Sequence, residues 1–132
     1  MLEVEAISVG YGALQVLTEV SVEVRAREVV SVIGPNGAGK TTLIKTIVGL
    51  LRPRADHGRG RITFRGRRID GLAPEEIVRQ GIAVVPEGAR VFPDMTVLDN
   101  LKMGAVIPRA RARRDANLEE VFALFPRLNE RA

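Results

Sequence analysis

The chain has no cysteine and only one histidine, His57, among its 132 residues. Without cysteine there is no disulfide and no thiolate metal site, and a single histidine excludes a histidine cluster. No apolar run approaches the ~18 residues that a membrane-spanning helix needs, and the acidic start of the chain is not typical of a signal peptide. We therefore expect a cytoplasmic protein that contacts a membrane only through a partner or through its own surface. His57, which lies among glycine and arginine residues, is expected to be a surface residue.

Aromatic residues are also scarce, at 4 % of the chain, whereas arginine is abundant and the net charge is +4. Basic clusters indicate either contact with nucleic acid or anionic lipid, or a solvated surface. Because no aromatic residues are interleaved for base stacking, the solvated surface is favoured and no nucleic-acid partner is expected. The two clusters contain Arg52, Arg54, Arg59, Arg61, Arg65, Arg67 and Arg68, and then Arg109, Arg111, Arg113 and Arg114.

Short apolar patterns predict the strands. Residues 2–9 and 20–25 alternate between apolar and polar, which predicts two half-buried antiparallel strands, and residues 62–64 predict a third. Residues 29–33 and 82–85 are nearly continuous apolar runs, rich in β-branched residues, which predict strands covered on both faces. A polar turn is expected at residues 56–60.

Helical signals follow each of the later strands. One helix is expected from Lys40, and two more are expected to begin at Pro74 and Thr96. Thr96 with Asp99 three residues later resembles a capping box. A further helix is expected over residues 111–125, ended by Pro126. The first helix should bury Leu43, Ile44, Ile47 and Val48, and the last Leu118, Val121, Phe122 and Phe125. This order predicts an α/β domain that becomes helical near Gly88.

Residues 34–41 match the phosphate-loop pattern G-x-x-x-x-G-K-[ST] in full, between an apolar run and a helical pattern. Glycines let successive N–H groups turn towards an anion, and the following helix adds its positive end. Lys40 can reach the β- and γ-phosphates, Thr41 can ligate Mg²⁺, and Thr42 can bond a phosphate oxygen. The alternative is a glycine-rich turn with a surface lysine. The candidate nucleotide contacts in this loop are Gly34, Pro35, Asn36, Gly37, Ala38, Gly39, Lys40, Thr41 and Thr42.

The form of this loop, Gly-Pro-Asn-Gly-Ala-Gly-Lys-Thr-Thr, resembles that of ABC-type ATPases. The resemblance implies ATP and Mg²⁺ as cofactors. About twenty residues upstream, Tyr11 lies in a Val-Gly-Tyr-Gly turn, where members of that family carry an aromatic residue that stacks on adenine. Simple packing of Tyr11 is the alternative to stacking.

The segment Val-Pro-Glu-Gly around Glu87, with Val-Phe-Pro and Met-Thr-Val after it, is similar to the ATPases of branched-chain amino-acid importers, in particular the smaller of the two in that system. Close relatives serve urea and other amides. ABC ATPases usually carry a glutamine that ligates Mg²⁺ where this chain has Glu87. A carboxylate can ligate Mg²⁺ but cannot donate a hydrogen bond, so Glu87 is a candidate metal ligand with an altered role.

The resemblance implies an α/β P-loop NTPase fold with an N-terminal antiparallel β-subdomain in a nucleotide-binding core at residues 1–87 and the start of a helical subdomain at 88–132. It also implies permease subunits, a second ATPase subunit in a homo- or heterodimer, and indirectly a periplasmic binding protein as partners, at the cytoplasmic face of the inner membrane. The apolar residues Phe92, Pro93 and Met95 are expected against the permease, or else in the chain's own core.

The later motifs of the family are not found in these 132 residues: no Leu-Ser-Gly-Gly signature, no apolar run ending in Asp-Glu (Walker B), and no switch histidine. We therefore expect a truncated chain that binds ATP, carries no catalytic residue of its own and hydrolyses ATP negligibly. The alternative functions are a stand-alone P-loop kinase or NTPase and a nucleic-acid-binding ABC protein.

Overall fold

A computed structural model of the chain describes residues 1–54, 60–88 and 90–132. Most of the expected polar turn, including His57, lies outside the described residues. The chain divides into two compact units, Met1–Val84 and Val85–Ala132. The expected boundary between residues 87 and 88 is close to this division, and the roles assigned to the two parts stay predictions.

The first unit is built on an antiparallel sheet. Strands β1 (Leu2–Tyr11) and β2 (Leu14–Val24) form a hairpin, β3 (Arg61–Phe64) pairs with the other edge of β1, and β4 (Arg67–Arg68) pairs with β3. The described strands lie in the order β2-β1-β3-β4. The three strands predicted by alternation are confirmed, and β2 begins earlier than predicted because its first residues also pair with β1.

Two serine side chains accept hydrogen bonds from backbone N–H groups where the hairpin is irregular. The register between β1 and β2 shifts near Ala6, which has φ 43°, and Glu19 on β2 has φ 49°. The Ala6 N–H donates to Ser21 Oγ at 2.9 Å, and the Glu19 N–H donates to Ser8 Oγ at 3.1 Å. Each hydroxyl replaces a ladder partner that the bulge removes, so the strands continue on both sides.

Helix α1 (Lys40–Ile47) follows the phosphate loop and contributes to the core of the first unit. The prediction that Ile44 faces inward was wrong, because Ile44 is exposed and the helix buries Thr42 and Thr46 beside Leu43 and Ile47. Thr46 Oγ1 donates to the Thr42 carbonyl oxygen at 2.7 Å, which allows a hydroxyl to lie in the core. The buried apolar residues of the unit are Val4, Ile7, Val9, Leu17, Leu43, Ile47, Ile62, Phe64, Ile69 and Ile77.

Helix α2 (Pro74–Gln80) contributes to this core and has the ends that its sequence predicts. Pro74 begins the helix, the Glu76 carboxylate accepts the Ala73 N–H at 3.2 Å, and Gly81 ends the helix with φ 104°. Ile77 is its buried residue. Gly49, after α1, has φ 78°, and a Cβ there would lie 2.8 Å from Ile77 Cδ1. The turn after α1 therefore approaches α2 more closely than a side chain would allow.

The two continuous apolar runs do not form strands, which corrects the prediction for residues 29–33 and 82–85. Val29 and Ile33 are each 92 % exposed, and Val85 is 97 % exposed. A strand buried on both faces needs hydrogen-bonding neighbours on its edges and side chains above and below it. Among the described residues neither run has a strand paired to it, and Ile82 alone of the second run packs partly against the core. Their apolar composition alone therefore does not produce a strand.

The second unit is helical. Its helices are α3 (Val97–Met103), α4 (Pro108–Arg111), α5 (Arg114–Leu124) and α6 (Pro126–Glu130). The capping prediction is confirmed, because the Asp99 N–H donates to Thr96 Oγ1 at 3.1 Å. The single helix predicted over residues 111–125 is instead divided at residues 112–113, and Phe125 lies outside it with φ −131°.

None of the described residues of the second unit is fully buried. Leu101, Ala110, Leu118 and Val121 line a groove of about 220 Å³ between α3, α4 and α5. The apolar side chains of this unit therefore meet at a shallow surface rather than in a closed core. Within the described ranges, no helix combines the length and the apolarity needed to cross a bilayer.

Candidate phosphate-binding site

The loop that precedes α1 has the backbone that its glycines predict. Gly37 and Gly39 have φ 84° and 88°, a region that side chains disfavour, and Gly39 is the residue that caps the start of α1. A Cβ on Gly39 would lie 2.5 Å from Leu17 Cδ2 and 3.3 Å from Val16 Cγ1. Residues of strand β2 therefore pack directly against the loop. Gly39 is required both because its φ is positive and because β2 leaves no room for a side chain at this position.

Lys40 lies across this loop. Its Nζ donates to the Gly34 carbonyl oxygen at 2.6 Å and to the Pro35 carbonyl oxygen at 2.7 Å. The ammonium group is thereby held against the backbone at the start of the loop. A glycine-rich loop, a helix N-terminus and a lysine are the parts from which phosphate sites are built, and phosphate binding by this loop stays a prediction.

The two threonines after Lys40 differ in exposure. Thr41 is exposed on the first turn of α1, whereas Thr42 is 6 % exposed and faces the core. Mg²⁺ in nucleotide sites takes one or two protein oxygens and completes its shell with phosphates and water. The exposed Thr41 hydroxyl fits that requirement. The phosphate contact predicted for Thr42 stays a prediction.

No group of three or more acidic, histidine or cysteine side chains placed to hold a metal occurs among residues 1–54, 60–88 and 90–132. Glu87, the second predicted ligand, belongs to the second unit and is exposed. Arg90 Nε donates to the Glu87 carbonyl oxygen at 3.4 Å, which leaves the carboxylate out of that contact. The role of Glu87 as a metal ligand stays a prediction.

Tyr11 ends β1 at the turn into β2. Its side chain is 46 % exposed, and Gly12 beside it has φ 56°. A partly exposed aromatic residue at a turn is accessible to a flat ligand, which is compatible with stacking. Adenine stacking by Tyr11 nevertheless stays a prediction, with packing as its alternative.

Arg54 is a residue of this site that the sequence did not single out. Its guanidinium Nη2 donates to the Gly12 carbonyl oxygen, and its backbone N–H donates to the Ser8 carbonyl oxygen at 2.8 Å. Arg54 thus connects the segment after α1 to the turn that carries Tyr11. The sequence placed Arg54 only in a basic cluster, because nothing local indicates a contact between residues 42 positions apart.

Other arginines of the first basic cluster are paired with acids on the sheet. Arg61 makes two hydrogen bonds with the Glu5 carboxylate, at 2.7 and 2.9 Å, and Arg68 pairs with Asp70 at 2.9 Å. The hydrogen bond from Arg61 holds the pKa of Glu5 below its usual value. These pairs agree with the interpretation of the cluster as a solvated, ion-paired surface.

Comparisons with known proteins agree with this geometry. The chain is 44 % identical over 131 residues to the high-affinity branched-chain amino acid transport ATP-binding protein BraG of Pseudomonas aeruginosa, covering 99 % of the chain and 54 % of BraG. It is 41 % identical over 101 residues to the corresponding protein LivG of Salmonella typhimurium, covering 76 % of the chain and 38 % of LivG. The chain therefore spans about half the length, or less, of these curated relatives.

The fold class is confirmed by solved structures. An ATP-binding subunit of an ABC transporter matches 99 % of the chain and 52 % of its own length, with a TM-score of 0.79 and 38 % identity. The ABC transporter family profile matches residues 17–131, which include the phosphate loop, α1 and the Pro-Glu-Gly segment. The sequence resemblance, the loop geometry and these comparisons agree, and the chain belongs to the ABC transporter family.

Proposed function

We propose that this chain is part of an ATP-binding subunit that energises an importer of branched-chain amino acids. The observation that carries the proposal is the phosphate loop: Gly39 at the start of α1, with Lys40 held at 2.6 and 2.7 Å from two loop carbonyls. A phosphate oxygen is a stronger acceptor for an ammonium group than a neutral carbonyl. Lys40 would therefore exchange its loop partners for the β- and γ-phosphates of ATP.

The remaining nucleotide contacts follow from the elements around the loop. Tyr11 would stack on adenine, and Arg54 would keep its turn in place through the Gly12 carbonyl. Thr41 would supply a hydroxyl to Mg²⁺, with Glu87 as a second ligand in the assembled protein. The metal would neutralise charge on the phosphates when bound.

The transported solute is proposed from the relatives and from the Pro-Glu-Gly segment. BraG and LivG are both named as branched-chain amino acid transport proteins, and this supports that solute class over the amide and urea importers. Similarity to BraG extends over nearly the whole chain, and we retain the smaller ATPase of such a system as the proposed counterpart. Membership of the family also argues against a stand-alone kinase.

We propose membrane permease subunits as the direct partners, with a second ATPase subunit and, indirectly, a periplasmic binding protein. The protein would then lie at the cytoplasmic face of the inner membrane. Phe92 is 52 % exposed, and Pro93 and Met95 are exposed as well. An exposed apolar group of this kind is a candidate contact surface for a protein partner, which supports the interpretation that the three residues contact a permease.

Lys40→Ala tests the nucleotide site. Loss of a charge-assisted partner should weaken binding of Mg-ATP by about 10- to 150-fold, equivalent to roughly 1.5–3 kcal/mol. Isothermal calorimetry measures the affinity. Lys45→Ala is the matched control, since Lys45 is exposed near the end of the same helix and should leave the affinity unchanged. A folded Lys40→Ala protein that binds ATP normally would show the loop assignment to be wrong.

Phosphate release by the same proteins tests whether this chain hydrolyses the ATP that it binds. Hydrolysis needs a group that orients or activates water and groups that stabilise the γ-phosphate, and such help is worth about 10²–10⁴-fold for a general base alone. We expect the 132-residue chain to bind ATP with negligible turnover. Turnover that disappears in Lys40→Ala would instead support a complete stand-alone P-loop enzyme.

A further inference from the structure

The Asn100 side chain on α3 holds the segment before that helix. Asn100 Oδ1 accepts the Phe92 N–H at 2.8 Å. Asn100 Nδ2 is within hydrogen-bonding distance of three carbonyl oxygens, those of Phe92 at 3.0 Å, Met95 at 3.2 Å and Thr96 at 3.0 Å. Both ends of the carboxamide therefore bind the backbone of residues 92–96, which we name the clamped turn.

This arrangement requires an amide. An aspartate at position 100 would accept the Phe92 N–H but could not donate to any of the three carbonyls, and an alanine could do neither. Two further contacts close the same turn: the Met95 N–H donates to the Phe92 carbonyl oxygen at 3.2 Å, and Thr96 Oγ1 caps α3. Hydrogen bonds thus hold the backbone of the clamped turn at its first residue, Phe92, and at its last two, Met95 and Thr96.

The apolar side chains on the clamped turn are exposed although its backbone is held by several hydrogen bonds. Phe92 and Met95 both face solvent, and Val91 immediately before them does too. The turn contains one carboxylate, Asp94, and no lysine or arginine. A surface of this composition does not suit anionic lipid or nucleic acid, and it fits an apolar pocket on a protein.

We propose that Asn100 is a positioning residue for the contact with the permease: it fixes the clamped turn so that Phe92 and Met95 meet the permease in one preformed arrangement. This inference rests on the permease contact proposed above. A turn that is ordered before association does not lose conformational freedom during it, and the apolar side chains enter their pocket without rearrangement. Asn100 therefore acts by positioning Phe92 and Met95 and does not itself contact the permease.

A double-mutant cycle in the full-length protein, reconstituted with its permease, tests this. The variants are Phe92→Ala, Asn100→Asp and their combination, with Asn129→Asp as the matched control on α6. We expect Phe92→Ala and Asn100→Asp each to weaken permease association by about fivefold or more. The double variant should bind the permease no less tightly than the more affected single variant. Asn129→Asp should stay within about twofold, and ATP affinity should be unchanged in every variant.

The outcomes separate the two proposals. Normal association of Phe92→Ala would overturn the permease contact and this inference with it. A weakened Phe92→Ala with a normal Asn100→Asp, or with strictly multiplicative effects in the double variant, would overturn the role of Asn100 alone. Hydrogen exchange of the α3 amides shows whether Asn100→Asp still folds. If it does not, Thr96→Ala, which loosens the same turn from its other end, should weaken association in the wild-type background and not in Phe92→Ala.

Discussion

Strand β1 and residues 29–33 both contain Val, Ile and one serine, and they differ in structure. The apolar residues of β1 alternate roughly with polar ones, among them Ser8, whereas residues 29–33 are apolar except for Ser31. β1 lies between β2 and β3 and buries Val4, Ile7 and Val9, whereas Val29 and Ile33 are almost entirely exposed. The difference shows that an apolar run becomes a strand through its neighbours, which complete its hydrogen bonds and cover its side chains.

The largest effect is expected when the same substitution is made in both segments, as Ile7→Ala and Ile33→Ala. Ile7 is fully buried, so its truncation should lower the free energy of unfolding by about 2–5 kcal/mol through lost burial and a residual cavity. Ile33 is 92 % exposed, and its truncation should change stability by less than about 0.5 kcal/mol. Urea unfolding of the two variants measures both values. Equal losses would mean that residues 29–33 are covered after all.

A smaller effect is expected from the serines. Ser8 Oγ accepts the Glu19 N–H at 3.1 Å at a bulge in the hairpin, so Ser8→Ala leaves that N–H without its partner and should cost about 1–3 kcal/mol. Ser31 is exposed, and Ser31→Ala should be close to neutral. Hydrogen exchange at the Glu19 amide gives a local readout, since its protection should fall only in Ser8→Ala. Unchanged protection would show that the hydroxyl does not stabilise the bulge.

The smallest effect concerns Asp70, whose carboxylate accepts the Ile62 N–H at the start of β3 and pairs with Arg68. Partial burial raises the pKa of Asp70, but the hydrogen bonds from Arg68, from the Ile62 N–H and from its own backbone N–H, with the charge of Arg68, leave the pKa below the usual value. Such a carboxylate stabilises the fold above its unfolded-state pKa, and the contribution is lost as the pH falls through the folded pKa.

Asp70→Asn should therefore lower stability at pH 7, by no more than about 1 kcal/mol because Arg68 is well solvated and the amide oxygen can still accept a hydrogen bond. At pH 3 the difference from the wild type should be smaller. Asp115→Asn is the control, since Asp115 is almost fully exposed and its replacement should change stability by less than about 0.5 kcal/mol. A constant difference between pH 3 and pH 7 would contradict the lowered pKa of Asp70.

Features that depend on a few adjacent residues were predictable. The glycines at 37 and 39 indicated positive φ in the phosphate loop, Thr96 indicated the start of α3, and alternation indicated the hairpin. Each of these follows from the conformational freedom of a residue or from a hydrogen bond to a neighbour three positions away. The family could be recognised for the same reason, because the motif that carries it is continuous in sequence.

Features that depend on distant segments were not predictable. Three such features depend on the segments that the fold brings alongside. They are the pairing of residues 29–33 with another strand, the choice of Ile44 or Thr42 for the core, and the carbonyl that Arg54 binds. By itself the sequence determined the glycine conformations of the phosphate loop, the hairpin and the starts of α1, α2 and α3. Tertiary structure alone decided which apolar residues are buried and how the Tyr11 turn is held, since burial and long-range hydrogen bonds belong to pairs of segments and not to either one.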